Sequence, residues 1–424
     1  MGRENNHQEK VPFPFGWEDR LFRGGRTIVR ILRQNGYDAV FAGGCVRDMI
    51  MNVEPQDVDV ATDAPPDRVL GLFKKTIPVG EAFGVVIVRV GGIGYEVATF
   101  RKEGQYQDGR RPTSICFVSK EEDVSRRDFT CNGLLYDPLS ETLLDYVGGR
   151  ADIEARILRA IGNPDTRFEE DHLRLIRAVR FAVQLQFQIE KKTWEAIVGG
   201  AYGIEGVSAE RVKEELFKLL SLPGAGEGLR LLWEAQLAPE VLPEAFRRGE
   251  TPSQLGETCR VLDSLQEQTP EQALAAVFHL HDVPMETLRR ALPRLRLSNK
   301  EAATILEILQ ILEALPQFPA QPLSVKKRSI RMDHFPEALD LFGAIHKVQG
   351  RDPNPWKQIQ REAGEMGPQD LFPPRLLRGD DLIAMGFEEG KLIGELLERL
   401  EDEQLEGRIA SKEKAMSWLR GQRG

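Results

Sequence analysis

Hydrophobic and polar positions follow two different patterns along this chain. Between residues 20 and 35, Leu21, Ile28, Ile31 and Leu32 recur at helical spacing and predict an amphipathic helix. Short apolar runs bounded by glycine or polar residues follow, and they predict strands and short helices. The predicted strands are 37–44, 57–62, 84–90 and 95–100, and the predicted helices are 46–52 and 67–73. The first 150 residues are therefore predicted to be mixed α/β.

From residue 151 onward, the hydrophobic positions follow helical periodicity almost throughout. Clusters of proline and glycine interrupt it at 221–228, 313–324 and 352–374, and they indicate boundaries between helical subdomains. The prediction is an α+β protein with a small mixed α/β head followed by an elongated, all-helical neck, body and tail. The expected boundaries are a leader at 1–20, the head at 21–150, the neck at 151–220, the body at 221–330 and the tail at 331–424.

The composition is that of an ordinary globular protein, with 41% hydrophobic and 29% charged residues among 424. No apolar run approaches the roughly 20 residues that span a bilayer, so we expect no membrane partner. The first ten residues lack the apolar core of a signal peptide. The cysteines are scattered, which disfavours a disulfide framework or zinc site and favours a cytoplasmic location. They are Cys45, Cys116, Cys131 and Cys259.

The formal net charge is −9, which at face value argues against a nucleic-acid partner, because phosphate binding needs lysine and arginine. Net charge is an average, however, and an acidic chain can carry a basic face. Two basic clusters are Arg289, Arg290, Arg294, Arg296 and Lys300, and then Lys326, Lys327, Arg328 and Arg331. Charge alone leaves open whether they bind phosphates or are solvated helix faces.

The segment 57–62 reads Asp-Val-Asp-Val-Ala-Thr and places two carboxylates on one face of a predicted strand. Asp57 and Asp59 point the same way, with Val58 and Val60 toward the core. Neighbouring carboxylates repel one another unless a cation compensates them. Mg²⁺ prefers one or two carboxylates with phosphate oxygens and water, and two such ions stabilise both oxygens of a phosphoryl displacement. Taken alone, the motif also suits a solvent-facing acidic strand.

Residues 43–48, Gly-Gly-Cys-Val-Arg-Asp, lie just upstream, where a predicted strand ends and a helix begins. Glycine lets the backbone approach a phosphate, the helix start attracts anions, and Arg47 adds a bidentate donor. The combination predicts a phosphate site beside a metal site. Glu96 is a candidate third carboxylate, because its neighbours Tyr95 and Val97 face the other way.

These segments, with others further along, resemble the motifs of the class II tRNA nucleotidyltransferase and bacterial poly(A) polymerase family, which belongs to the polymerase-β superfamily. They are 43–48 (GGCVRD), 57–62 (DVDVAT), 126–132 (RRDFTCN), 170–174 (EDHLR), 176–181 (IRAVRF) and 208–212 (SAERV). His172 and Cys131 depart from the usual family residues without touching an assigned role. Asn52 replaces a common glycine, which puts the turn into DVDVAT in doubt.

The resemblance implies roles for individual residues of the head and neck. Asp57 and Asp59 would bind the catalytic Mg²⁺ ions, and Glu96 would be a further acidic residue of the catalytic site. Asp171 and Arg174 would read the base of the incoming nucleotide. The full set of implied nucleotide-binding residues is Gly44, Arg47, Arg127, Asp171, Arg174, Arg177 and Arg180.

Base reading by an aspartate and an arginine also fits the chemistry of the residues themselves. Asp171, Arg174, Arg177 and Arg180 recur at three-residue spacing, hence roughly along one helix face. Asp accepts from the exocyclic amine of cytosine or adenine, and Arg donates to the ring acceptors. Uracil and guanine would leave the Asp unpaired, which is enough for roughly 10⁴-fold discrimination. Charge spacing alone would equally allow a run of exposed ion pairs.

Three activities share these motifs: building the whole CCA end of tRNA, adding part of it, and adding poly(A). Residues 77–84 resemble the tRNA enzymes rather than the basic segment of poly(A) enzymes. Residues 106–112 resemble the flexible loop that enzymes restricted to two cytidines lack, although a plain surface loop has the same composition. We therefore expect template-independent CCA addition to tRNA from CTP and ATP. The alternatives are A addition beside a separate CC-adding enzyme, then poly(A) polymerase, then a non-catalytic tRNA-binding protein.

The helical part adds a tRNA partner to this expectation. Segments 294–300, 379–387 and 404–407 are similar to the body and tail of bacterial tRNA nucleotidyltransferases. The resemblance implies that the body grips the tRNA acceptor end through phosphates and shape, with the two basic clusters as candidates. His281-Asp282 would also suit a metal phosphohydrolase, but such a site needs further ligands and the chain has six histidines, so we interpret His281 as structural. Oligomeric state is not indicated.

Overall fold

The computed structural model describes residues 7–80, 84–103, 106–107, 111–112, 115–249, 253–265 and 267–422. The chain forms two compact units, Met1–Leu222 with Glu227–Arg248, and Pro223–Gly226 with Gly249–Gly424. The predicted head and neck therefore lie within one compact unit, since no division between units falls near residue 150. No helix in the described ranges combines the length and the apolar character that crossing a bilayer requires.

The strands lie in the first unit. They are β1 (Gln8–Lys10), β2 (Ala39–Ala42), β3 (Asp59–Thr62), β4 (Thr76–Gly80), β5 (Val85–Val90), β6 (Ile93–Thr99), β7 (Arg101–Glu103), β8 (Tyr106–Gln107), β9 (Arg111–Pro112), β10 (Ile115–Phe117), β11 (Leu135–Asp137), β12 (Thr142–Leu144), β13 (Ile157–Leu158) and β14 (Gln188–Ile189). Of the predicted loop 106–112, the structure thus describes the paired ends β8 and β9, and residues 108–110 lie outside the described ranges. Residues 81–83 of the predicted segment 77–84 also lie outside the described ranges.

The helices of the first unit are α1 (Arg20–Gln34), α2 (Gly44–Ile50), α3 (Pro66–Leu72), α4 (Lys120–Ser125), α5 (Gly149–Glu154), α6 (Pro164–Glu170), α7 (Leu173–Leu185), α8 (Lys191–Gly200), α9 (Ala209–Leu220), α10 (Ala225–Glu234, whose first two residues belong to the second unit) and α11 (Ala238–Val241). Short 3-10 turns occupy Thr130–Asn132 and Ala201–Gly206. The α+β prediction is confirmed, but the expectation of an all-helical neck is wrong for the short parallel pair β13 and β14, which lies within residues 151–220.

One eight-stranded sheet has the order β1-β12-β11-β2-β3-β6-β5-β4. β2 and β3 pair antiparallel with Ala42 opposite Asp59, and β3 and β6 pair in parallel with Val60 opposite Val97. These registers place the first residue of β3 between the end of β2 and the Glu96 region of β6. The predicted strand at 57–62 is therefore confirmed only from Asp59 onward, and Asp57 lies in the exposed segment before it.

Helix α1 packs closely over this sheet. Of the four predicted apolar positions, Ile28 and Leu32 are fully buried, whereas Leu21 and Ile31 are half-buried. Gly24 permits the close approach, because a Cβ there would lie 2.0 Å from the Tyr95 hydroxyl. That hydroxyl donates to the carbonyl of Leu21 at 2.9 Å, so β6 and α1 are tied together.

The described part of the predicted leader belongs to the head. β1 pairs with β12, placing Gln8 opposite Leu144. Phe13 stacks on Trp17 with ring centroids 4.1 Å apart and meets the edge of Phe22 at 4.9 Å. The prediction of a separate leader at 1–20 is therefore wrong for residues 7–19. Its polar beginning hid an aromatic cluster and an edge strand, and the partner of that strand lies more than a hundred residues further along.

The second unit is helical throughout its described residues. It contains α12 (Leu255–Ser264), α13 (Pro270–Leu280), α14 (Met285–Arg294), α15 (Asn299–Ala314), α16 (Leu323–Ile330), α17 (Phe335–Val348), α18 (Asn354–Glu365), α19 (Pro368–Leu371), α20 (Gly379–Ala384), α21 (Lys391–Leu405) and α22 (Lys412–Arg420), with a 3-10 turn at Leu315–Ala320. α13 packs against α12, α15 and α17. Toward the C-terminus, Leu382, Leu396, Leu400 and Leu419 form a separate buried cluster.

Candidate active site

The turn between β2 and α2 brings backbone and two arginines together. Gly43 has φ 75° and ψ −135°, a conformation that L side chains rarely adopt. A Cβ on Gly43 would lie 3.3 Å from Arg127 Nη1, and one on Gly44 would lie 3.6 Å from Arg47 Nη2. The two glycines therefore leave open space between two guanidinium groups, as a phosphate site requires.

Arg47 is held rigidly in this turn. Its side chain is 6% exposed and pairs with Asp48 at 2.7 Å. Its Nη1 donates to Asn132 Oδ1 at 2.8 Å, so the 3-10 turn at Thr130–Asn132 also holds the guanidinium group in place. The ring of Phe181 lies 5.6 Å beneath the guanidinium carbon. Arg47 is thus prepositioned at the wall of the site.

Arg127 is anchored by a buried carboxylate. Its Nη2 donates to Asp123 Oδ2 at 3.0 Å, and Arg126 Nη2 donates to Asp123 Oδ1 at 2.7 Å. Burial alone would raise the pKa of Asp123, but the charges of Arg127 and Arg126 hold that pKa below its ordinary value. The backbone N–H of Arg101 also donates to this carboxylate. Asp123 therefore stays ionised and sets where both arginines lie.

The predicted acidic residues lie near the start of β3 and in the adjoining part of β6, which we call the acidic edge. Burial, together with the negative charges of Asp57 and Glu96, raises the pKa of Asp59 to about 7, against the opposing charge of Arg127. Burial, with Asp59 next, also raises the pKa of the Cys45 thiol to about 12. Asp57 and Glu96 thus both act on Asp59, close to the turn at residues 43–48, which we call the phosphate turn after its predicted role, and the charge of Arg127 does not offset them.

This excess of negative charge is what a divalent cation would relieve. Among the residues that the structure describes, no three His, Cys, Asp or Glu side chains form a closed metal cage. Asp57 and Asp59 instead offer a partial oxygen set, which is the kind that Mg²⁺ completes with water and phosphate oxygens. Such a partial set fits a divalent cation only if further ligands come from outside the protein.

The raised pKa of Asp59 predicts how stability depends on pH. Its ionisation costs the folded state more than the unfolded state, where the ordinary value is 3.8. The metal-free protein should be most stabilised by this group below that value and lose the contribution as pH rises through about 7. In thermal unfolding with EDTA, Asp59→Asn should show a smaller decline in Tm between pH 5 and pH 8. Parallel declines in both proteins would contradict the assignment.

The base-reading candidates lie at the start of α7. Asp171 precedes that helix in extended conformation, with φ −155°, so it does not share the helix face of Arg174 as the three-residue spacing predicted. Its Oδ1 accepts from the N–H of Leu173 at 3.2 Å. Its Oδ2 accepts from Arg211 Nη2 of α9 at 2.7 Å. The carboxylate is therefore oriented by one helix start and one arginine from a distant helix.

Arg174 is fixed by carbonyl groups from the head and neck. Its Nη1 donates to the carbonyl of Arg167 at 2.7 Å and to Glu170 Oε2 at 2.9 Å, and its Nη2 donates to the carbonyl of Arg126 at 3.0 Å. These bonds occupy three of the five guanidinium donors. The side chain is 12% exposed. Arg174 thus has a fixed orientation and donors left for a ligand.

One cavity of about 440 Å³ unites these groups. It is lined by Gly43, Gly44, Arg47, Arg126, Arg127, Asp128, Asn132, Asp171, Leu173, Arg174, Arg177, Phe181 and Arg211. Six of the seven predicted nucleotide-binding residues are in this lining. The seventh, Arg180, is not, because its guanidinium is buried against Glu215 and Gln184. Asp57, Asp59 and Glu96 lie beside the phosphate turn rather than in the lining.

Several residues of the site carried no predicted role. Arg211 orients Asp171, Asn132 bonds to Arg47, and Asp128 accepts from Arg177 Nη2 at 2.6 Å. The motif segments 126–132 and 208–212 contain all three, so the sequence marked them as motif members. Their roles depend on partners far away in the chain. Asn52 resolves another doubt, since it adopts φ 58°, which asparagine tolerates, and so fills the place of a glycine.

Comparison with protein families matches most of the chain to three family models. Residues 39–159 match the poly A polymerase head domain, and residues 186–247 match the RNA- and SrmB-binding site of polymerase A. Residues 265–419 match domain 2 of tRNA nucleotidyltransferases. The first two matches cover the phosphate turn, the carboxylates and the α9 residues, and the third covers most of the second unit.

Curated CCA-adding enzymes are similar to this chain in sequence. The CCA-adding enzyme of Anoxybacillus flavithermus is 33% identical over 407 residues, which covers 94% of this chain and 96% of that enzyme. The enzyme of the same description from Geobacillus thermodenitrificans is 46% identical over 230 residues, and the aligned part spans 56% of its length. The similarity is thus strongest over about half of the chain and extends, more weakly, over nearly all of it.

Solved structures agree. The Bacillus stearothermophilus CCA-adding enzyme in complex with CTP superimposes with a TM-score of 0.77 at 30% identity, covering 95% of this chain and 99% of that one. The Thermotoga maritima CCA-adding enzyme complexed with tRNA_CCA has a TM-score of 0.65 at 18% identity, which shows that the two proteins share a fold.

Proposed function

This chain belongs to the family of the CCA-adding enzymes, which are tRNA nucleotidyltransferases, and on that premise we propose that it builds or repairs the CCA end of tRNA from CTP and ATP without a nucleic-acid template. The observation that carries the proposal is that one cavity contains both ends of the site. It joins a phosphate turn with Arg47 and Arg127 to a base-reading end with Asp171 and Arg174. A nucleoside triphosphate needs both ends at once.

We propose that the triphosphate lies at the Arg127 end of the cavity, next to the acidic edge. Arg47 and Arg127 donate to phosphate oxygens, and the glycine turn admits them. Asp57 and Asp59 would hold Mg²⁺, which supplies charge neutralisation for the attacking and leaving oxygens when it is bound. Glu96 adds a third negative charge there. The chain's own part is to place the α-phosphate against the tRNA 3′ hydroxyl.

We propose that the base lies at the other end, between Asp171 and Arg174. Asp171 accepts from the exocyclic amine that cytosine and adenine share, and Arg174 donates to a ring acceptor. Arg211 holds the Asp171 carboxylate in place by an ion pair at 2.7 Å. A uracil or guanine carbonyl would face the carboxylate and leave both acceptors without a donor, which penalises those nucleotides.

The test uses three transcripts of one tRNA, which end before the first C, after the first C and after the second C of the CCA end. The purified protein receives each with CTP and ATP, and the products are sequenced. Full CCA on all three is the expected result. Extension of the third transcript alone would overturn CCA addition in favour of A addition. Long A tails on an unrelated RNA would overturn it in favour of poly(A) synthesis.

The two basic clusters of the second unit differ in how far their cations are exposed, since those of α16 are half-buried. In α16, Lys326 pairs with Glu362 at 2.8 Å, Arg328 with Asp402 at 2.9 Å and Arg331 with Glu401 at 2.6 Å. Lys327 donates to the carbonyl of Leu405. These cations bind α16 to α18 and α21, and we therefore propose a structural role for this cluster instead of phosphate binding.

The cluster on α14 is exposed. Solvent exposes all five of its cations, which are Arg289, Arg290 and Arg294 of α14 and the following Arg296 and Lys300. Arg290 pairs with Glu286, but both side chains are more than two-thirds exposed, and such pairs hold weakly. We therefore propose that this α14 surface contacts tRNA phosphates, which is a contact of shape and charge rather than sequence.

Reversing charge on the α14 surface should weaken tRNA binding. For the double variant Arg289→Glu with Lys300→Glu, we expect the Kd for tRNA to rise roughly tenfold and its salt dependence to become less steep, because two phosphate contacts are lost. The KM for CTP should be unchanged. The control is Lys391→Glu on α21, whose side chain is 93% exposed. Equal weakening by the control would contradict a specific α14 surface.

A further inference from the structure

Glu215 on α9 is a buried carboxylate that does not line the cavity. Its side chain is 4% exposed, and three cations surround it. Arg180 Nε donates to Oε2 at 2.6 Å, Arg177 Nη1 donates to Oε1 at 3.3 Å, and Lys218 lies 3.4 Å away. Burial alone would raise the pKa of Glu215, but Arg180 and Arg177 hold that pKa below its ordinary value. It is therefore a fixed negative charge behind the cavity wall.

Arg177 links this charge to the cavity. One arm of its guanidinium contacts Glu215, while Nε and Nη2 donate to Asp128 Oδ2 at 3.1 and 2.6 Å. Asp128 is buried, and its other oxygen accepts from Asn132 Nδ2 at 3.1 Å. The outer surface of Arg177 lines the cavity. Two carboxylates from different parts of the chain thus decide where this arginine lies.

Asn132 extends the chain of bonds to the phosphate turn, since its Oδ1 accepts from Arg47 Nη1 at 2.8 Å. A continuous series of hydrogen bonds therefore runs from Glu215 through Arg177, Asp128 and Asn132 to Arg47. Each member is oriented by the next, and in a buried network such bonds reinforce one another. The base-reading helix α7 and the phosphate turn are consequently positioned by one network.

We propose that Glu215 is a positioning residue of the nucleotidyl-transfer reaction, which sets the place of Arg177 at the cavity wall and couples nucleotide selection to the phosphate turn without touching the nucleotide. The inference rests on the proposed function. Without the carboxylate, Arg177, Arg180 and Lys218 would repel one another, and Arg177 would keep its hydrogen bonds to Asp128 and its contact with the Phe181 ring. Arg177 would then shift toward the cavity, where the nucleotide binds.

The rival explanation is that Glu215 only stabilises the neck, as many buried ion pairs do. Glu240 on α11 offers a matched control in the same unit. Its side chain is 3% exposed and pairs with Arg248 at 2.5 Å, and it is not among the residues of the cavity wall. Glu215→Gln and Glu240→Gln each remove one buried charge beside an arginine, although Arg248 is 51% exposed and Arg180 only 9%, so Glu240→Gln controls for the loss of a buried carboxylate charge in this unit.

The experiment compares the two variants with the parent protein in Tm, in the KM for CTP and for tRNA, and in U incorporation from UTP. For Glu215→Gln we expect the KM for CTP to rise about tenfold and U incorporation to increase, with the KM for tRNA unchanged. Glu240→Gln should lower Tm without changing either KM. An unchanged KM for CTP in Glu215→Gln, or the same rise in Glu240→Gln, would overturn the proposal.

A shorter carboxylate keeps the test decisive if Glu215→Gln does not fold. Glu215→Asp retains the charge but withdraws it from Arg177 and Arg180, so we expect an intermediate rise in the KM for CTP. Parent-like nucleotide selection in that variant would overturn the proposal. Failure of the parent protein to extend any of the three transcripts would instead overturn the proposed function, so the two failures are distinguishable.

Discussion

Asp57→Asn and Asp59→Asn should each abolish nucleotidyl transfer, lowering the rate by roughly 10³-fold or more, because charge at the reacting phosphate is the main contribution to such catalysis. Asparagine keeps the size of the side chain but removes the negative charge that a divalent cation needs. The measurement is a single-turnover reaction with labelled CTP on a tRNA that ends before the first C. Binding of tRNA, measured separately, should survive.

Asp59→Asn, which should abolish activity, should nevertheless make the metal-free protein more stable. Asp59 is ionised only at a cost in the metal-free protein, since burial and two other carboxylates raise its pKa. Asp59→Asn should therefore increase Tm at pH 8 in EDTA while activity disappears, which is the usual conflict between stability and function at a charged site. Asp67→Asn is the control, because that side chain is 71% exposed on α3. Retained transfer in Asp59→Asn would refute the carboxylate assignment.

The sequence was sufficient for several features that depend on neighbouring residues. Period-two alternation located β3 and β6, and glycine beside a strand end located the turn at Gly43. The order of the motif segments then indicated that the phosphate and base ends serve one nucleotide. The cavity brings six of the predicted nucleotide-binding residues together. Their roles toward the nucleotide stay predictions until the variants are measured.

The contacts between distant residues could not be predicted in this way. Arg47 and Asn132 are 85 residues apart, Arg177 and Asp128 are 49 apart, and the partner of Arg180 is 35 further on. No periodicity connects such pairs. Spacing on α7 made Arg180 look equivalent to Arg174, whereas the fold turns Arg180 inward to Glu215.

Charge clusters were ambiguous for the same physical reason. The α16 cations look like a phosphate-binding patch until α21 brings Glu401 and Asp402 to them, 70 and 74 residues further along. The α14 cluster has the same kind of sequence but remains exposed. Whether a cluster of arginines is paired internally depends on the tertiary structure, which a count of charges does not contain.

Asp171→Asn should change which nucleotide the protein selects. An amide can present N–H to the carbonyl of uracil, where a carboxylate can only accept. We therefore expect the ratio of kcat/KM for CTP to that for UTP to fall by roughly 10² to 10⁴-fold. The amide oxygen can still accept from the N–H of Leu173, whereas the amide nitrogen in the place of Oδ2 would face Arg211 Nη2, so the ion pair to α9 is lost. The measurement is competitive incorporation of CTP and UTP on one tRNA transcript.

Arg211→Gln separates base reading from the ion pair behind it. It removes the 2.7 Å contact to Asp171 Oδ2 but leaves the carboxylate in place. If Asp171 itself faces the base amine, Arg211→Gln should raise the KM for both nucleotides while cytidine is still preferred over uridine. A loss of preference equal to that of Asp171→Asn would assign selectivity to the pair as a whole. Unaltered preference in Asp171→Asn would refute base reading by Asp171, because a donor would then stand where cytosine needs an acceptor without any cost.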